Sequence, residues 1–204
     1  MDLWFERVVK PRCRGQALLI RYADDYVCAF QYRNDAYRFY QVMPNRLEKF
    51  QLHIAPEKTG ILRFSRFHPG LRRRFTFLGF ELYWTRDHRG ELRVMKRTAR
   101  KRLQQAKRRM RRWIKAYRHL PGRQFIKALN RKLVGHYNYF GLRSNETSLW
   151  SFYTHCVECA FKWLNRRGGK RRSFNWCQFK AALSKLKVAL PRIVEKQRQH
   201  VVFT

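Results

Sequence analysis

Acidic residues are scarce in this chain: 13 Asp and Glu stand against 47 Lys and Arg in 204 residues, a formal net charge of +34. Self-repulsion on that scale disfavours a compact monomer unless a polyanion neutralises it. Long apolar runs are missing as well. No stretch is long enough to span a bilayer, and the N-terminus lacks the charged, apolar and cleavage segments of a signal peptide. The expected location is therefore the cytoplasm of a bacterium or an organellar matrix, with no membrane partner. Cysteine is limited to Cys13, Cys28, Cys156, Cys159 and Cys177, an odd set without the spacing of a disulfide framework.

What is present points to nucleic acid. Aromatic residues make up 16% of the chain, and basic residues interleaved with aromatics contact phosphates and stack on bases. A solubilising surface would mix charge signs, and this one almost lacks acids. The "HCVEC" cluster, His155, Cys156 and Cys159, offers part of a zinc site. The second ligand pair is missing, however, and the segment has helical periodicity, so packing between helices is the expected role.

The apolar pattern divides the chain. Up to about residue 96, short β-rich blocks alternate with turns: "ALLIRY", "YVCAF", "TGILRF", "FTFLGFELYW" and "ELRVM". Between the second and third blocks, "NDAYRFYQVMPNRLEKFQLHIAP" reads as helical with a break near Pro44, and "TRDHRG" reads as a hairpin turn. This predicts an α+β layer, an antiparallel sheet with a helix, over 1–96. From Thr98 the period becomes helical. Leu103, Ala106, Met110, Trp113 and Tyr117 form one apolar stripe, while residues 96–112 carry ten Lys or Arg. A basic helix over 97–120 is followed by an all-α bundle over 121–204, with stripes at Phe125, Leu129, Leu133, Tyr137 and Phe140, at Leu149, Phe152, Cys156, Ala160 and Trp163, and at Trp176, Phe179, Leu183 and Leu186. The run "RRGGKRRS" interrupts the bundle as a Gly-softened loop.

The informative stretch is "LLIRYADDYVCAF". Asp24 and Asp25 lie between two apolar strands, so a hairpin would carry both carboxylates at its tip, where ordered flanks make them harder to solvate and a cation would relieve their repulsion. Carboxylate oxygens are the ligands Mg²⁺ prefers, and in two-metal chemistry one ion activates the attacking hydroxyl while the other stabilises the leaving oxygens. An Asp-Asp turn is common without any metal; the strands and the downstream motifs favour the metal site.

The order "FERVVKPRC", "RYADDYVCAF", "LHIAPEKTGILRF" and "FTFLGFELY" resembles the second half of a reverse transcriptase palm. "LNRKLVGHYNYFG" and "FKWLNRRGGKRRSFNW" resemble the maturase domain of group II intron-encoded proteins, and the basic helix between them resembles the thumb. The resemblance covers Leu3 to about Val194. It implies that Asp24 and Asp25 are the catalytic, Mg²⁺-binding residues, with Mg²⁺ held only in a complete palm. It also implies that Tyr22 lies near the primer terminus, that Lys58 approaches the triphosphate or pyrophosphate, and that Phe77, Leu78, Gly79 and Phe80 grip the primer. Phe75, Phe77 and Phe80 equally suit a core. RNA contacts are expected from Arg100, Lys101, Lys107, Arg108, Arg109, Arg111 and Arg112, from Arg131 and Lys132, and from Arg166, Arg167, Lys170, Arg171 and Arg172.

The chain departs from that family upstream. Reverse transcriptases bring a further metal-binding aspartate from an earlier strand, along with fingers, whereas the acids before Asp24 are Asp2 and Glu6, neither in a suitable strand. Two expectations follow. One is a split or truncated reverse transcriptase completed by a second polypeptide and acting on an RNA or RNA/DNA duplex. The other is a non-catalytic maturase-like cofactor that binds group II intron-like RNA. A decayed gene fragment is a third.

Overall fold

The computed structural model describes residues 1–70, 73–166 and 173–195. Among them the chain is α+β, with six helices and two small antiparallel sheets. By packing it separates into two units, Met1–Leu78 with Leu82–Val94, and Gly79–Glu81 with the residues from Met95 onward.

The first unit is organised by a hairpin of β1 (Ala17–Tyr22) and β2 (Asp25–Phe30), paired from Ala17 opposite Phe30 to Tyr22 opposite Asp25. Side chains alternate across a strand, so Ala17, Leu19, Cys28 and Phe30 turn inward. There they join Phe5 and Val9 from the N-terminal turns and Phe39 and Met43 of α2 (Arg33–Glu48). The outward set, Leu18, Ile20 and Tyr22, is left exposed. Ahead of the hairpin, the single turn α1 (Asp2–Trp4) widens into a π turn over Phe5–Val9 and then narrows to a 3₁₀ turn over Lys10–Arg12.

Two expectations need correction in this unit. The helix does not break at Pro44; α2 runs through it. Proline removes one intrahelical hydrogen bond, but Phe39 and Met43 are seated in the core on the turn before it, and that anchorage keeps the helix continuous through the gap. "TGILRF" is not a strand: Ile61 and Leu62 are exposed, and only Phe64 is drawn in, its ring 5.1 Å from Phe75 and 5.4 Å from Trp84. The third strand begins later. "FTFLGFELYW" is two strands, β3 (Arg74–Phe77) and β4 (Phe80–Arg86), joined by Leu78-Gly79 with φ of 49° and 77°, the left-handed pair that a tight two-residue hairpin requires. Gly79 therefore serves the turn rather than a strand interior. With β5 (Leu92–Thr98) these strands form a sheet in the order β3-β4-β5, and the expected "TRDHRG" turn closes by Asp87 and Glu91 backbone pairing at 2.9 Å.

The second unit is mainly helical: α3 (Arg100–Tyr117), α4 (Gly122–Phe140), α5 (Glu146–Asn165) and α6 (Trp176–Lys185). All four line one core. Met110 and Ile114 of α3 meet Phe125, Leu129, Leu133 and Tyr137 of α4, Leu149, Phe152, Cys156 and Ala160 of α5, and Phe179 and Leu183 of α6. Tyr117, expected in the stripe of α3, is exposed and stacks on Trp113, and Ile114 takes the buried place. Asn145 is fully buried with its amide satisfied: it accepts from the Thr98 N–H at 2.7 Å and donates to Thr98 Oγ1 and the Phe140 carbonyl at 2.8 Å each. The segment after α6 straps back over α4. Asn130 pairs with the backbone of Lys187 and Ala189, and Val194 N–H donates to the Gly141 carbonyl at 2.7 Å. Glu195 bonds Lys96 at 3.0 Å and the Arg143 N–H at 2.8 Å. Among the described residues, no helix is long and apolar enough to cross a membrane.

Candidate functional site

The β1–β2 register leaves Ala23 and Asp24 as a two-residue turn, with Asp25 already paired in the ladder. Ala23 adopts φ 54°, a conformation that costs a residue with a Cβ roughly 1–2 kcal/mol and is normally given to glycine in such turns. A clip offsets this strain. Arg21 Nη1 donates to the Ala23 carbonyl at 2.8 Å, while its Nε and Nη2 grip both oxygens of Asp2 at 2.8 and 2.6 Å. The Arg21 hydrogen bonds hold the Asp2 carboxyl below its usual range. Asp2 is thus committed to positioning the turn, and Glu6 to an ion pair with Lys10 at 2.8 Å.

Asp24 and Asp25 themselves are exposed. The expectation that apolar flanks hinder their solvation does not hold, because those flanks are half open to water on the outer face. Neither carboxylate has an ion-pair or hydrogen-bond partner among the described residues, although Asp2, Glu6, Asp35 and Asp87 each take one from the surrounding cations. Asp35, buried beside the start of α2, shows the opposite treatment. Burial opposes its ionisation, but Arg38 and the backbone N–H groups of Gly15 and Arg14 outweigh that and hold its carboxyl below the ordinary value.

The other residues singled out from the sequence are dispersed. Tyr22 faces outward opposite Asp25 and is 67% exposed. Lys58 ends an exposed single turn over Pro56–Lys58, and no hydrogen bond or ion pair joins it to the two carboxylates among the described residues. Phe77 ends β3 and Leu78 and Gly79 form the β3–β4 turn, all three at intermediate burial. The Phe80 ring is buried, stacked 6.1 Å from Tyr139 and 5.3 Å from Phe140, so it is spoken for as core.

On the helical unit, Arg100, Lys101, Arg108, Arg109, Arg111 and Arg112 project from the exposed side of α3, and Arg131 and Lys132 from α4. Lys107 differs: it is half-buried and donates to Ser151 Oγ at 2.8 Å, a helix-packing role. Arg166 lies 5.6 Å from the Trp163 ring, which Lys115 and Arg118 also approach at 5.3 and 5.4 Å. Sequence reasoning missed Lys115 and Arg118, whose three-residue spacing from each other was the available signal. Arg167, Lys170, Arg171 and Arg172 lie outside the described residues. Cys156 and Cys159 sit in the helical core, where burial pushes the Cys156 thiol upward, and His155 contacts the Lys107 carbonyl at 3.2 Å.

The donor chemistry at the tip, two hard oxygen ligands on adjacent residues, fits part of a Mg²⁺ site. No group of three or more His, Cys, Asp or Glu side chains gathers there or elsewhere among the described residues. The chain matches no protein-family profile, and no curated protein is a significant match to it.

Proposed function

We propose that this chain is an RNA-binding protein of the reverse transcriptase–maturase type, carrying the second half of a palm on its hairpin unit and thumb and maturase helices on its basic unit. The observation that carries the reading is the tip itself. In a chain of net charge +34, Asp24 on the clipped two-residue turn and Asp25 at the start of β2 present two carboxylates without a partner among the described residues, and a dedicated salt bridge holds that turn in place. Leaving anionic groups unpaired amid abundant cations reserves them for something from solution. Asp24 and Asp25 would hold Mg²⁺, which when bound lowers the pKa of an attacking hydroxyl and stabilises leaving oxygens. Arg21 and Asp2 keep the turn from rotating away, and the exposed arginines of α3 and α4 bind phosphates.

Two ligands are too few to fix a pair of ions, so polymerisation requires a further carboxylate from residues outside these 204, on the same or another polypeptide. A second reading, RNA binding without synthesis, is supported by the absence of a third ligand at the tip among the described residues. One experiment covers both. The 204-residue chain should bind structured RNA with an affinity that falls about 10³-fold or more between 50 and 200 mM salt, and should extend no primer alone. With a separately expressed polypeptide carrying fingers and the first palm half, extension should appear and Asp24→Ala should abolish it without changing RNA affinity. Salt-indifferent binding would sink both readings, and failed complementation would leave only the non-catalytic one.

A further inference from the structure

The side of α2 turned away from the hairpin carries a recess of about 460 Å³ lined by Arg14, Asn34, Tyr37, Arg38 and Gln41. No sequence motif marks it. Phe39, Met43 and Asp35 occupy the buried side of the helix, so Asn34, Tyr37, Arg38 and Gln41, at spacings of three and four, share the opposite one. Arg14 comes from the loop before β1, and its place there is built. The Arg14 and Gly15 N–H groups donate to the buried Asp35 carboxylate at 3.0 and 3.4 Å. Gly15 passes so close to the next turn that a Cβ would lie 2.6 Å from Gln31 Oε1 and 2.7 Å from the Tyr32 ring. Arg38 pairs with the same Asp35, so two arginines line the recess against one carboxylate held from below.

Tyr37 makes the recess more than an anion trap. Arg33 stacks over its ring at 5.0 Å and donates to its hydroxyl at 3.2 Å, while the side chain remains 42% exposed. A ring fixed by a guanidinium on one side offers its remaining surface to a planar group, and a base stacked on such a platform contributes about 1–3 kcal/mol. Asn34 and Gln41 add amides with both donor and acceptor character, suited to a base edge. Two arginines for phosphate, a stacking ring and two amides within one recess match a nucleotide unit better than a carboxylate-bearing peptide, which would use the arginines alone.

We propose that this recess binds one nucleotide step of a single-stranded nucleic acid, its phosphate on Arg14 and Arg38 and its base on Tyr37. The proposal rests on the RNA-binding reading above and adds a contact on the hairpin unit to those expected of the basic helices. The test uses the full 204-residue chain with a short oligouridylate containing 4-thiouridine. Photocrosslinks should map to residues 34–38. Arg14→Gln with Tyr37→Leu should weaken binding about tenfold and lower the salt slope by about one, with an unchanged melting temperature because both side chains are exposed. Tyr37→Phe should retain the affinity, which a role confined to the Arg33–hydroxyl bond would not allow.

If the oligomer binds but crosslinks only to the helical unit and the double variant behaves as wild type, this site is refuted while the general RNA reading stands. No binding of the oligomer or of structured RNA refutes both. If uridine monophosphate protects residues 34–38 as well as the oligomer does, the occupant is a free nucleotide and the strand proposal falls. Polyglutamate binding with the same dependence on Tyr37 overturns it in favour of an acidic peptide.

Discussion

In the helical unit, Phe125, Leu133, Tyr137 and Cys156 are closed off from water, whereas in the hairpin unit Leu18, Ile20 and Tyr22 keep 53, 51 and 67% of their surfaces exposed. The cause is geometric rather than compositional. Each of the four long helices buries its stripe against the others, so every apolar stripe finds a cover. The ribbon has two faces and one covering helix; α2 and the N-terminal turns seal the inner face, and the outer one stays bare. A lone two-stranded ribbon is marginal in water, so the hairpin unit draws its stability from one face and holds the other in reserve. Where the helical unit buries polar groups at Asn145, it satisfies them completely.

The sharpest way to break this contrast is truncation of the larger core. Phe125→Ala should cost about 3–5 kcal/mol, read as a lowered denaturant midpoint. Phe39→Ala should cost less, because a ribbon covered on one side relaxes into the space; equal losses would mean that the small core is as tightly determined as the large one. Next in size, Asn145→Ala strands the Thr98 N–H and takes one of two donors from the Phe140 carbonyl, which keeps the Leu142 N–H, a loss of about 1–3 kcal/mol that a buried network with alternative partners would not show.

A pH-dependent difference is smaller and confined to the helical unit. His136 stacks 3.7 Å from Phe152 with its Nε2 buried and without a partner among the described residues, and burial lowers its pKa from 6.5 to about 4. The folded state keeps it neutral while the unfolded chain protonates it. Its contribution is therefore fully present above pH 6.5 and is lost as pH falls from there to 4. Melting curves across that window should flatten in His136→Phe. The smallest effect is expected at the tip: Ala23→Gly relieves the left-handed strain and should stabilise the hairpin by about 0.5–1 kcal/mol, measured by amide exchange in β1 and β2. Faster exchange in the variant would mean that the Arg21 clip already cancels the strain.

The legible parts of the fold were those in which periodicity and burial coincide. β1, β2 and the four long helices follow their apolar spacing because each has a partner surface. "TGILRF" has a strand's composition, but Ile61 and Leu62 stay exposed and the segment pairs with no strand among the described residues, so composition alone misleads. Proline at position 44 signals a break only when nothing else anchors the helix, and Phe39 and Met43 do. At the site, the carboxylate pair stood out because acids are rare here. The Asp2–Arg21 clip did not, since its partners are nineteen residues apart and one arginine among so many carries no mark. The recess on α2 was hidden for a similar reason: Arg14 belongs to a different segment, brought in through backbone hydrogen bonds that no side-chain pattern records.

The strap over α4 bears on how the molecule comes into being. Lys96 and Glu195 are separated by 99 positions, and contacts of such long range form late because the intervening chain must first be ordered. The backbone of Gly141, whose missing Cβ would collide with the Tyr137 and Arg192 carbonyls, receives the Val194 and Glu195 N–H groups only at that stage. Until Val194 and Glu195 dock, the Gly141 carbonyl lacks the two donors that close the helical unit, so the strap works as a latch set last in folding.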